Sequence, residues 1–376
     1  MDIANSFRYG KKEAKIIQGF GLLLIFCCHF LTPFFFTEND KLKYQFSDIL
    51  IFQIPIELYI QKFANSCRAI FAFCTGYALY TKRECYKSVK YSFAKTIKIL
   101  VNYWIVLIPF YIVMFLAGDV LPEKSIIFRN FFALDTGTVD FVNPVFCAYI
   151  FFYYTLIIVA PVWIRIFCAT AKTWYRDVFW LLGLLGLNLL WEKLQLPMWG
   201  VAQIAIMNWK ILGLVAFVGY QVAKTKLFEK IDLVIENTEK FYIVILCCLF
   251  LIGGLLRGII ANELIGMIVA PLLIYPILGL VKKYPKWIGW RVAEELGEKS
   301  LNMWIISCFV FSPYETLEKY FIWPKYAILI WLNAVVVCYI LAIPLCKLQG
   351  QIWKMMRKLI GCKKGDYNEK SYYLGK

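Results

Sequence analysis

The chain has 376 residues, 61% of them apolar and 18% aromatic, with 41 Lys and Arg against 25 Asp and Glu. One water-filled surface and one core cannot accommodate that much apolar area, which excludes an ordinary soluble fold. The net charge of +16 then reads as helix orientation and contact with anionic lipid, and nucleic acid is not an expected partner.

About 20 apolar residues cross a bilayer as a helix. Ten such stretches follow one another, at roughly 16–36, 55–80, 97–118, 144–165, 177–196, 200–222, 241–260, 264–281, 300–316 and 326–346. The expected fold class is all-α: a polytopic membrane bundle of about ten transmembrane helices spanning 1–346, followed by a basic tail, 347–376. The first stretch is too long for a cleaved signal peptide and lacks a small-residue cleavage site, so it is read as a retained helix. Most of the Lys and Arg residues, but only about half of the acids, fall in the segments that ten crossings place with the N-terminus; the positive-inside rule puts both termini in the cytoplasm. The tail, with Trp353, Met355 and Met356, is read either as lying along the inner leaflet or as a solvated basic segment.

Within the first helix stands His29, the only histidine of the chain. An ionisable side chain inside the membrane is a functional candidate by default. At ~1.5 Å per residue from Ile16, it lies ~20 Å from the cytoplasmic edge. Gln18 precedes it by three helical turns and shares its face, with Gly19 and Gly21 leaving room for a close neighbour. In the second helix, which runs the other way, Arg68 lies ~18 Å up, level with His29. Lys210 and Arg257 fall in the same outer half; for these two, snorkelling to the interface is the simpler reading. The third helix begins with Lys95 and Lys98, one turn apart on one face, after Lys82, Arg83, Lys87 and Lys90, a cluster suited to phosphates.

Thirteen cysteines, mostly in apolar runs, are read as small core side chains. One histidine and no C-x-x-C pair give a metal site little to build on, and no phosphate-binding glycine motif is present. Trp199, Trp287 and Trp323 read as an interfacial belt.

The stretch Gln18-Gly-Phe-Gly-Leu-Leu-Leu-Ile-Phe-Cys-Cys-His29 resembles the first-helix signature of membrane-bound acyltransferase family 3, the O-acyltransferases that decorate cell-envelope polysaccharides. Ile70-Phe-Ala-Phe-Cys-Thr-Gly-Tyr77 is similar to the family's F-x-F-x-S-G-Y segment. Lys95-Thr-Ile-Lys98 with Tyr103-Trp104 is similar to its R-x-x-R element. Two further stretches, from Ala148 to Pro161 and from Leu296 to Ile306, resemble its fourth-helix and ninth-helix segments. The resemblance covers about the first 165 residues and then 296–310. Departures are Gln18 where a basic residue is common, lysines at 95 and 98 in place of arginines, and Ser307 where many relatives carry a second histidine.

The resemblance implies a donor such as acetyl-CoA, with no permanently bound cofactor, and an acceptor hydroxyl on an envelope or capsular glycan. It implies a bacterial plasma membrane, with polysaccharide-assembly proteins as further partners. His29 is expected to act as general base or transient acyl carrier, and Gln18, Lys95 and Lys98 to hold the donor; Arg68, where the family's second-helix pattern does not usually carry a charge, is expected from its depth beside His29 to stabilise an oxyanion or the acceptor. Two other readings stand beside it: a flippase or exporter of lipid-linked sugars, and a catalytically degenerate scaffold of a polysaccharide assembly machine.

Overall fold

The computed structural model describes residues 9–33, 43–118, 123–134, 144–168, scattered positions between 175 and 189, 200–238, 241–260, 262–310 and 321–359. The chain is an all-α membrane protein. In order, its helices are α1 (Lys11–Phe30), α2 (Ile56–Ala64), α3 (Cys67–Thr81), α4 (Arg83–Tyr86), α5 (Val89–Ala117), α6 (Lys124–Phe131), α7 (Pro144–Cys168), α8 (Gly200–Thr225), α9 (Leu227–Glu236), α10 (Tyr242–Ile259), α11 (Gly266–Lys283), α12 (Ile288–Val310) and α13 (Ala327–Leu359). A short antiparallel hairpin, β1 (Leu50–Ile51) and β2 (Ile54–Pro55), precedes α2. Among the described residues, five segments are long and apolar enough to cross a membrane: α1, α5, α10, α11 with the 3₁₀ turn before it, and α13. The pair α8 and α9, bent by 61° at Lys226, makes a sixth if counted as one span.

Helices occupy nine of the ten stretches read from the sequence; the fifth, 177–196, lies largely outside the described residues. Several boundaries differ because hydropathy marks where lipid begins rather than where the hydrogen-bonded backbone begins. The first helix starts at Lys11, with the Gly10 amide donating to the Glu13 carboxylate at 3.0 Å. It stops at Phe30, three residues before Pro33, which disfavours helical backbone just ahead of it. The ninth stretch begins twelve residues early, at Ile288, and the tenth continues to Leu359, into the segment read as a tail. The second is broken into α2 and α3 at Asn65 and Ser66. There Asn65 Nδ2 donates to Gln61 O (3.2 Å) and Ser66 Oγ to Phe63 O (2.8 Å), the local side-chain bonds by which Asn and Ser compete with a helix ladder.

Two helix pairs set the frame, and each meets backbone to backbone at glycine. A Cβ on Gly19 of α1 would stand 1.9 Å from Ala293 O of α12, and one on Gly297 would stand 1.9 Å from Lys15 O. Between α3 and α8, Gly76 and Gly219 face Ala216 O and Phe73 O in the same reciprocal way, at 1.7 and 2.1 Å. In lipid, where helices gain little by hiding apolar surface from each other, close approach at small residues is a main source of packing energy. Two apolar clusters result. One gathers α3, α8, α10 and α11; the other gathers α12 and α13; α1, α5 and α7 contribute to both. α9 was not expected from hydropathy. Its buried Asp232 accepts from Tyr242 Oη (2.8 Å), Tyr275 Oη (3.3 Å) and Lys282 Nζ (2.8 Å), tying it to α10 and α11.

Candidate functional site

Because α1 belongs to both clusters, its Ile16, Ile17, Leu24 and Ile25 pack one way and its Leu22, Phe26 and Phe30 the other. A third, polar stripe remains on the helix: Lys15, Gln18 and His29, which follow helical spacing. All three line one cavity of about 690 Å³, enclosed with side chains of α3, α5, α7, α12 and α13. That volume is typical of small-molecule sites. Fourteen residues separate Lys15 from His29, so the stripe runs ~21 Å along the helix axis.

At the His29 end, the break after α2 brings Asn65, Cys67 and Arg68 to the cavity wall. Cys28 Sγ lies 3.2 Å from Asn65 Oδ1. Arg68 donates through one amino nitrogen to Tyr149 Oη (2.9 Å) and through the other to Glu263 Oε1 (2.5 Å). The same carboxylate oxygen receives Arg257 Nη2 at 2.9 Å, and Arg257 also reaches Ile260 O. Two guanidinium groups thus share one carboxylate, leaving the cluster with one net positive charge. Arg257 is 7% exposed and is held by the acid that the 3₁₀ turn Glu263–Ile265 places within its reach. Lys210 does not line the cavity.

At the other end, Lys15 Nζ approaches Gly297 O at 3.4 Å, and Lys98 and Glu298 join the wall. Lys98 Nζ also sits 5.7 Å from the centre of the Trp353 ring, and Lys95 Nζ 5.3 Å from that of Tyr91. Gln18, Lys98, His29 and Arg68 therefore meet around one space. Lys95 does not line it. One turn beyond Glu298, Asn302 and Gln349 form a reciprocal amide pair: Asn302 Nδ2 donates to Gln349 Oε1 (2.9 Å) while Gln349 Nε2 donates back to Asn302 Oδ1. The helical extension of α13 beyond residue 346 is thus part of the site. Ser307 is fully buried, donates to Trp304 O (2.8 Å), and stays out of the cavity, while its neighbour Cys308 lines it.

Comparison with known family models, curated proteins and solved structures finds no match.

Sequence reasoning missed Glu263, Tyr149, Asn302 and Gln349. Tyr149 and Asn302 lay inside the stretches singled out at 148–161 and 296–306, which were matched as family-like segments with no role attached to either residue. Glu263 sits in a loop position beside a span, where an acid carries no signal of its own. Gln349 fell in the segment read as tail.

Proposed function

We propose that the chain is a membrane O-acyltransferase, moving an acyl group, acetyl in the simplest case, from cytosolic acyl-CoA to a hydroxyl of a cell-envelope or capsular polysaccharide. The reading places it in a bacterial plasma membrane, with ten crossings and both termini cytoplasmic. One observation carries it: the sole histidine, Lys15 and Lys98 line a single cavity. The ordered motif resemblance between residues 18 and 306 adds to that support.

In this scheme the nucleotide end of the donor meets Lys15 and Lys98, and the thioester arm extends along the polar stripe of α1 to His29. The imidazole accepts the proton of the acceptor hydroxyl as its oxygen attacks the thioester carbonyl carbon. Negative charge gathers on the carbonyl oxygen, near the net positive charge of the Arg68, Arg257 and Glu263 cluster. The carbon–sulfur bond then breaks, and the departing thiolate takes the proton from the imidazolium. Acyl ester and free CoA thiol leave, with no other reactant required.

The test is His29→Ala in protein shown to insert at the normal level. Glycan O-acylation should vanish, and an unchanged level overturns the assignment. Purified protein in liposomes given labelled acetyl-CoA and acceptor separates the enzyme from an exporter, since only the enzyme consumes thioester.

A further inference from the structure

The charged and the neutral polar groups of the cavity are arranged in tiers. On α1, Lys15 is followed one turn later by Gln18; on α5, Lys98 by Asn102; on α12, Glu298 by Asn302; all six line the cavity. At α13, Gln349 stands on the same tier as Asn302, to which it is bonded. On three helices a charged residue of the lining is thus followed, one helical turn on, by a carboxamide, and α13 adds a fourth.

Carboxamides are the side chains that both donate and accept hydrogen bonds without carrying charge. Their natural ligand is another amide. Phosphates or sugar acids would call for lysine or arginine beside these residues, and a purely apolar acyl chain would desolvate Gln18 and Asn102 without offering them a partner. The reciprocal Asn302–Gln349 pair is itself the pattern that a bound amide would make with either residue. A ligand amide can therefore replace one partner of the pair without stranding a buried donor or acceptor.

We propose that Gln18, Asn102, Asn302 and Gln349 form the recognition site for the two secondary amides of a pantetheine arm, and that the Asn302–Gln349 pair is a latch which the ligand's amide displaces. The proposal rests on the acyl-CoA reading above and specifies the part of the donor that these residues hold. It makes the α13 extension part of the donor site, and it gives Gln18 a role that a basic residue would fill less well.

The experiment measures equilibrium binding of CoA, and of adenosine 3′,5′-bisphosphate, which carries the nucleotide without the arm, to the purified full chain in nanodiscs. Asn302→Leu and Gln349→Leu should each weaken CoA by about tenfold or more, the equivalent of one or two lost hydrogen bonds. Bisphosphate affinity should not change, which also shows that the variants are folded. The exchanged pair Asn302→Gln with Gln349→Asn should recover most of the CoA affinity. Unchanged CoA binding in both leucine variants, or equal weakening of both ligands, overturns the amide tier. Wild-type protein that consumes acetyl-CoA while the leucine variants bind CoA normally sinks this inference alone; wild-type protein that neither binds CoA nor consumes acetyl-CoA sinks the acyltransferase reading with it.

Discussion

At the His29 end of the cavity the wall is fixed by charge, with Arg68 and Arg257 both drawn onto Glu263 and Tyr149 bracing Arg68 from α7. At the opposite end the wall is closed by exchangeable contacts, an Asn–Gln amide pair and a lysine over an indole ring. Ion pairs in low dielectric hold their geometry and are costly to part, whereas paired neutral amides can trade partners at little cost. A rigid charged end suits a place where charge develops during a reaction and must be met without rearrangement. An end whose contacts can be exchanged suits a place where something passes.

The largest effect is expected from parting the frame that both ends share. Gly297→Leu places a branched side chain against the Lys15 carbonyl, where the obstacle is backbone and no rotamer relieves it. Folding should lose ~3 kcal/mol or more, read as loss of monodisperse protein after extraction. Gly350→Ala is the control, since a Cβ there meets nothing within 4 Å.

Next comes the charged end. Glu263→Ala leaves two guanidinium groups facing each other, one of them 7% exposed. Breaking a buried pair costs ~3–5 kcal/mol, and the value should fall toward the lower figure because the Arg68 and Glu263 side chains are each about one-third exposed. Thermal unfolding in detergent measures it, and Glu263→Gln should lie between the alanine variant and wild type. Tyr149→Phe removes one hydrogen bond to Arg68 and should cost ~1 kcal/mol, while lowering turnover more than it lowers stability. Were Glu263→Ala no more harmful than Tyr149→Phe, the contrast between a charge-fixed end and an exchangeable one would collapse.

The helical class and most of the segments were legible in the sequence, since apolar length is a signal carried by the residues themselves. The shared face of Gln18 and His29 was legible too, because helical spacing alone decides it. What could not be read was partnership between distant segments. Arg68 and Glu263 are 195 positions apart and Asn302 and Gln349 are 47 apart, and neither pairing leaves a local pattern. Extensions of helices into polar sequence, as at Lys11, Ile288 and past residue 346, escaped for a related reason: hydropathy senses the bilayer, while the helix continues wherever backbone bonds and neighbouring helices support it. The glycines show the intermediate case. Gly19 advertised a close approach, but only the fold says that the visitor is the backbone at Ala293.

The smallest effect, and the most discriminating between the two ends, is expected from Gln18→Lys. The substitution adds a cation one turn inside the mouth, near Lys15 and Lys98, and removes one carboxamide from the tier. An added cation at this site should strengthen a polyanionic nucleotide at low ionic strength by a few-fold at most, and salt should erase the gain as screening shortens to ~8 Å at physiological strength. The lost amide acts in the opposite sense on any ligand that carries the arm, and that loss persists in salt because a neutral hydrogen bond is not screened. Adenosine 3′,5′-bisphosphate should therefore bind the variant more tightly than wild type at low salt and equally at high salt, whereas CoA should bind it more weakly at high salt. Parallel titrations of the two ligands at two salt concentrations check this; identical responses of both would mean that position 18 senses charge alone.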